Sequence, residues 1–295
     1  MKLIWTFCLI FLLVFCGSNG NVNAGELNQR LQNFPQWQKL TSVKSAAGDL
    51  IYPEWVKGEW EVKSTLIDLV APLAPDIVTP GFESNRQFLN QPVTFQVRFV
   101  EGKIPVAESE KAASMKNNFF ATNNKSYFSQ ISNRNSPLTY QLDSDISRRS
   151  NKSKTVIADR AYNGLNLARA ILGNDIVKAV KVDPDSPNRQ ITFLRGERQL
   201  VSIVKSRATE TTADGRFIAT EVFQQLFKGS SRPYLNSVES TTAYKKLSTL
   251  STSNPAIEGN QVTAVYLSSQ DPDFFKAANK PVALYKYRLE FFPIN

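Results

Sequence analysis

Alternation of apolar and polar positions is the dominant pattern along the chain. In "WEVKSTL", Trp60, Val62 and Leu66 oppose Glu61, Lys63 and Thr65, the period-two signature of a strand with one buried face. "PVTFQVRFV" repeats it, with Val93, Phe95, Val97 and Phe99 against Thr94, Gln96 and Arg98. Beyond Asn174, seven further segments carry strand character, from "DIVKAVKVD" to "PVALYKYRLEFF". Their joins are turn chemistry: "DPDSPN" is a Pro/Asp/Asn turn, Gly196 in "RGER" predicts a type II′ hairpin, and Asp214-Gly215 predicts type I′. Links this short make successive strands antiparallel neighbours. The period changes to helical only once. Ala161, Leu165, Ala168 and Leu172 share a stripe, and Gly173 supplies the stop.

These elements predict a mainly β fold: an up-and-down antiparallel barrel of about nine strands, with one helix and a long polar insert. Closure removes the two edges that a long meander would expose, and an open sandwich is the alternative. Residues 25–57 form a lead-in broken by Pro35 and Pro53, whose Phe34, Trp37, Tyr52 and Trp55 must pack on the barrel to leave water. Residues 58–295 are then one domain, interrupted by a Ser/Asn/Lys-rich insert at 102–154 that is expected to be mobile or partly disordered.

Composition narrows the chemistry. "LIWTFCLIFLLVF" after Lys2 has the length of a secretory signal core, and Val22 and Ala24 mark a cleavage point before Gly25. The expectation is a signal over 1–24 and export to a periplasm or thylakoid lumen. The alternative makes Cys16 an acylated lipoprotein cysteine, although Phe15 sits where a small residue is wanted. Both cysteines, Cys8 and Cys16, lie in this segment, and the chain has no histidine. That removes Ser-His-Asp triads, Cys-His pairs and ordinary zinc sites, and points away from an enzyme. The net charge of +9 is concentrated, since residues 102–154 hold nine Lys/Arg against four acids. A local basic stretch in an exported chain reads as a solvated loop rather than a nucleic-acid surface.

Two resemblances follow. "KGEWEVKSTL" resembles the Gly-x-Trp signature of the lipocalin (calycin) superfamily, in which the Trp closes one barrel end and an Arg of the last strand packs across it. The resemblance implies Gly58 and Trp60 as that signature and Arg288 as the partner, although Arg288 has the opposite parity to Tyr285, Tyr287, Leu289 and Phe291. The segments "GDLIYPEWVKGEWEVKSTLIDLV", "VIADRAYNGLNLARAILG" and "TETTADGRFIATEVFQQLF" are similar to an uncharacterised domain family of cyanobacteria and plant plastids. It implies a compartment and carries no activity.

Several constellations are candidate sites. Trp60 is a barrel floor or a ligand contact. "ADRAYNGLNLARA" gathers Asp159, Arg160, Tyr162, Asn163, Asn166 and Arg169. They either line a cavity mouth, with Arg160 or Arg169 gripping a carboxylate or phosphate, or cap the helix and tie it to the rim. Tyr285 and Tyr287 are wall residues with polar tips. Asp183 and Asp185 lack the Gly and distal Glu of a calcium loop and read as a turn. Glu210 and Glu239 would do acid–base work only if they faced one another across the interior. "FKGSSRPYLN" is a surface loop or a partner contact.

The expected function is non-enzymatic binding of a small apolar molecule (lipid, quinone or pigment), with no metal, no cofactor and no nucleic acid. The alternative is a structural or assembly partner of a photosynthetic or other membrane complex. It would use the barrel exterior, or use insert 102–154 against an acidic subunit or anionic membrane surface.

Overall fold

The structure, a computed structural model, describes residues 25–79, 81–102, 155–229, 233–248 and 253–294. The signal reading of 1–24, Cys16 included, and nearly all of the insert therefore lie outside the described residues. Backbone proximity divides the chain into a main unit, residues 1–101 and 156–295, and a second unit, residues 102–155.

The strands are β1 (Lys44–Ser45), β2 (Gly58–Val70), β3 (Pro92–Gly102), β4 (Thr155–Ala158), β5 (Val177–Asp183), β6 (Ser186–Leu194) and β7 (Gln199–Thr211). They continue with β8 (Phe217–Lys228), β9 (Tyr234–Lys246), β10 (Ile257–Leu267) and β11 (Ala283–Pro293). Ten of them form one antiparallel sheet in the order β4-β3-β2-β11-β10-β9-β8-β7-β6-β5. Seven strands follow the helix, as alternation predicts, and the last strand pairs with the Trp60 segment, Pro293 lying opposite Trp60. The fold is a mainly β half-barrel. Its ladder stops short of a full circle, leaving β4 and β5 as the two ends of the path.

Two elements fill the gap. One is the helix α2 (Arg160–Leu172), which follows β4 directly; the short α1 (Glu26–Gln32) lies in the lead-in. Helix α2 carries two apolar stripes. Leu165, Ala168 and Leu172 join Val177, Leu194, Leu200 and Phe227 at the β5–β8 side. Leu167 and Ile171 pack into the main core with Phe95 and Tyr287. Gly164 lets the helix come close to the far end of the sheet, because a Cβ there would stand 2.7 Å from Gln190 Nε2 and 3.3 Å from Val180 Cγ1. The other element is the chain from β1 to Tyr52. β1 pairs with β7, Ala46 donates its N–H to the Lys205 carbonyl at 2.9 Å, and Tyr52 donates its N–H to the Val156 carbonyl of β4 at 2.8 Å.

Over β7 to β10 both faces of the sheet are covered. The inner face packs Tyr52 against Phe99 (ring centroids 4.8 Å apart), Phe217 (5.8 Å) and Tyr244 (6.0 Å). These rings fill the end of the interior near Trp60. On the outer face, Leu27 and Leu40 pack on Ala208, Ile218 and Ala243, while Trp37 packs on Val262, Ala264, Tyr266 and Leu284. The lead-in thus supplies both an inner residue and an outer cover.

Local geometry departs from expectation at two turns. Gly196 and Glu197 both have positive φ, at 73° and 58°, whereas type II′ requires it only at the first central residue. Register places Phe193 opposite Gln199 and Leu194 bonds to Arg198, leaving three residues in the loop. At the next join, Gly215 has φ 80° and Asp214 is not in the left-handed region. With Gly215 N–H donating to the Thr212 carbonyl at 2.9 Å, this is a three-residue loop with Gly at the left-handed position instead of type I′. "TVIA", before the helix, is the edge strand β4.

Candidate functional site

The rim where α2 meets β3 is the most elaborated polar region of the half-barrel. Asp159 caps the helix, its Oδ1 accepting from Tyr162 N–H at 3.1 Å. Its Oδ2 binds Arg98 of β3 at 2.6 Å, and this contact raises the Arg98 pKa further. Arg98 also lies 4.4 Å above the Tyr162 ring and within 3.7 Å of Glu59. Asn163 acts as a surrogate strand. Its Oδ1 accepts from Arg98 N–H at 2.7 Å and its Nδ2 donates to the Arg98 carbonyl at 3.2 Å. One turn on, Asn166 Nδ2 donates to the Gln96 carbonyl at 3.2 Å, and the Tyr162 hydroxyl donates to Gln96 Oε1 at 3.0 Å. The amides satisfy a strand edge that β4 is too short to cover.

Beneath this seam lies an apolar crevice of about 60 Å³. Leu66, Val93 and Phe95 of the sheet, Phe88 of the preceding turn, and Leu167 and Ile171 of α2 line it. Ser64, Gln91 and Tyr287 bring the few polar atoms. Asn85, from the same β2–β3 connection, donates to the Tyr285 hydroxyl at 3.0 Å. On the outer side of the same helix, a polar groove of about 300 Å³ runs past Thr94, Gln96, Asn166, Arg169 and Asn174.

The expected site residues separate into groups. Tyr287 lines the crevice, and Tyr285 is a fully buried wall residue on the same strand face. Asn166 and Arg169 line the groove, whereas Tyr162 and Asn163 are committed to β3. Arg160 is buried at the start of α2. Trp60 lines neither depression; its Nε1 donates to the Val56 carbonyl at 2.8 Å, and Gly58 sits beside the indole with φ 132°. The structure does not bring Arg288 to Trp60. Arg288 is exposed on the outer face opposite Thr65, next to Glu290, as its parity requires.

The two carboxylates do not face one another either. Glu210 accepts from the Leu27 N–H at 2.9 Å and Glu239 accepts from the Tyr266 hydroxyl at 3.1 Å, both on the outer face beneath the lead-in. Glu239 also forms an ion pair with Arg30. Burial and the Glu239 charge push the Tyr266 phenol well above its ordinary pKa. Asp183 is a turn residue, accepting from Asp185 N–H at 3.0 Å and from Arg189 at 2.8 Å. Among the described residues, no group of three or more acids, Cys or His is placed to hold a metal.

Sequence reasoning passed over the polar half of the interior. Arg207 and Glu221 form a fully buried ion pair at 2.9 Å. Arg207 also donates to Asn188 Oδ1 at 2.8 Å and to the Gly48 carbonyl at 3.1 Å, which ties the segment after β1 to the sheet. Gln190, Ser202 and Gln225 are cross-strand neighbours on this face. All three are buried, and the amide atoms of both glutamines and the Ser202 hydroxyl have no hydrogen-bond partner among the described residues.

The chain matches the family described as Domain of unknown function (DUF6816) over residues 44–295, and it belongs to that family. The matched span begins at β1, so the outer cover formed by residues 25–43 lies before it. No curated protein and no solved structure matches the chain.

Proposed function

We propose that this DUF6816 member is a non-enzymatic binding protein for a small apolar molecule, held between α2 and β2–β3 rather than along the barrel axis. One observation carries the reading: the crevice is walled by Leu66, Phe88, Val93, Phe95, Leu167 and Ile171 and is bordered by only a few polar groups, the composition of a small-molecule site. Aromatic rings occupy the end near Trp60, so the side of the half-barrel bridged by a helix is the natural entrance. The barrel would be lipocalin-like in use, with an exported compartment, a periplasm or thylakoid lumen of a cyanobacterial or plastid system, as its setting.

The test is extraction of the purified native protein, followed by mass spectrometry of the released small molecules. A co-purifying apolar compound is expected, and it should be lost from Ala170→Trp, which fills the crevice mouth. An empty extract, together with no binding of apolar probes by either protein, would overturn the reading.

A second reading, docking to a membrane complex or anionic membrane surface, draws on Phe275. This residue is 88% exposed on a short helical turn beside Lys276. Insert 102–154 would add its basic charge to such docking. Deleting the insert or replacing Phe275 with Ser would then release the protein from membranes while leaving apolar binding intact.

A further inference from the structure

We propose that the molecule bound at α2 is an anionic amphiphile, its carboxylate or phosphate gripped by Arg169 in the groove and its apolar tail in the crevice. This inference rests on reading the crevice as a small-molecule site. The two depressions adjoin, with Phe95 and Ala170 lining both. Helical geometry keeps their chemistries side by side. Asn166 and Arg169 stand three residues apart on the groove side, while Leu167 and Ile171, four apart, look into the crevice.

Charge points to the sign of the headgroup. Arg98, on the same rim, is already engaged by Asp159 and Glu59. Arg169 makes no ion pair among the described residues, and its Nε is shut from solvent without a hydrogen-bond partner. A carboxylate or phosphate in the groove would pair with the Arg169 guanidinium through a charge-assisted bond, with Asn166, Gln96 and Thr94 as polar neighbours. Size limits the tail. About 60 Å³ holds roughly four to six methylene-sized groups, so a short chain, or the end of a longer one, is the fitting partner.

Calorimetric titration of the full chain with octyl phosphate, octanoate, 1-octanol and inorganic phosphate tests this. Both anionic chains should bind about tenfold more tightly than 1-octanol. Arg169→Gln should erase that difference and leave 1-octanol unchanged, Arg169→Lys should restore part of it, and Ala170→Trp should lose all three chains. Thermal melts of the variants confirm folding. Equal binding of 1-octanol and the anions, with Arg169→Gln silent, would overturn the headgroup assignment yet keep the apolar site. Inorganic phosphate binding as tightly as octyl phosphate would overturn the tail. Binding of none of the four would remove this inference and the function it rests on together.

Discussion

The two halves of one sheet line the same interior with opposite chemistry. On β2, β3 and β11 the inner face presents Val62, Leu66, Phe95, Val97, Leu289 and Phe291. On β6 to β9 buried Gln190, Ser202, Arg207, Glu221, Gln225, Ser240 and Thr242 interrupt the apolar inner set of Val204, Phe217, Phe223 and Tyr244. The apolar half can leave an unfilled space at no electrostatic cost, and that is where the crevice lies. The polar half has no such freedom, since each buried group must find partners or weaken the fold. Its ion pair favours one register: Arg207 is opposite Glu221, and a one-residue slip of either strand would turn that strand's member of the pair to the outer face. Unfilled apolar space and buried polar pairing thus fall on different strands of a continuous sheet.

The polar half is most vulnerable at Glu221. Glu221→Ala leaves Arg207 charged and buried without its carboxylate, a loss of about 3–5 kcal/mol. Urea unfolding would measure it, and the double variant Arg207→Met/Glu221→Leu should recover most of the loss. If the single variant falls by less than about 1 kcal/mol, the pair does not hold the polar half in register.

The apolar half should respond in kind but less. Leu167→Ala removes a buried wall of the crevice and should cost about 2–4 kcal/mol, as core truncations do. It should also enlarge the site, so a longer apolar probe gains affinity while overall stability drops. A stability loss with no change in which probe lengths bind would separate the crevice from binding.

Much of the apolar half was legible in the sequence, because one face of β2, β3 and β11 is buried and the other is largely wet. Trp60, Val62 and Leu66, or Tyr285, Tyr287 and Leu289, stand out against exposed or half-buried neighbours such as Lys63 and Arg288. The polar half was not legible, for a physical reason. The lead-in covers the outer face of β8 and β9, so Ile218, Thr220 and Val222 are buried as deeply as Ala219, Glu221 and Phe223. A strand buried on both faces loses its alternation, and nothing local distinguishes inner Glu221 from outer Glu239. Helix α2 hid half its role similarly. The Ala161–Leu165–Ala168–Leu172 stripe was visible, but Leu167 and Ile171 show as a second stripe only once the helix is seen wedged between two sheet ends. Asn163 and Asn166, read as ligand contacts or rim ties, serve as ties to β3, and Asn166 and Arg169 also face the groove.

The smallest expected effect tests the polar half at its weakest point. Gln225 is buried beside Ser202 and Asn236, and neither atom of its amide has a partner among the described residues. Leu has nearly the same volume and no polar atoms to desolvate. If Gln225 only fills space, Gln225→Leu relieves the burial cost of an unpaired amide and raises stability by about 1 kcal/mol. The melting temperature would then rise by roughly 2–4 °C for a chain of this size. A fall of similar size would mean that the amide is satisfied in the folded protein, as by water seated along the row Gln190–Ser202–Gln225. The sign of this one substitution therefore decides whether the buried amide burdens the fold or supports it.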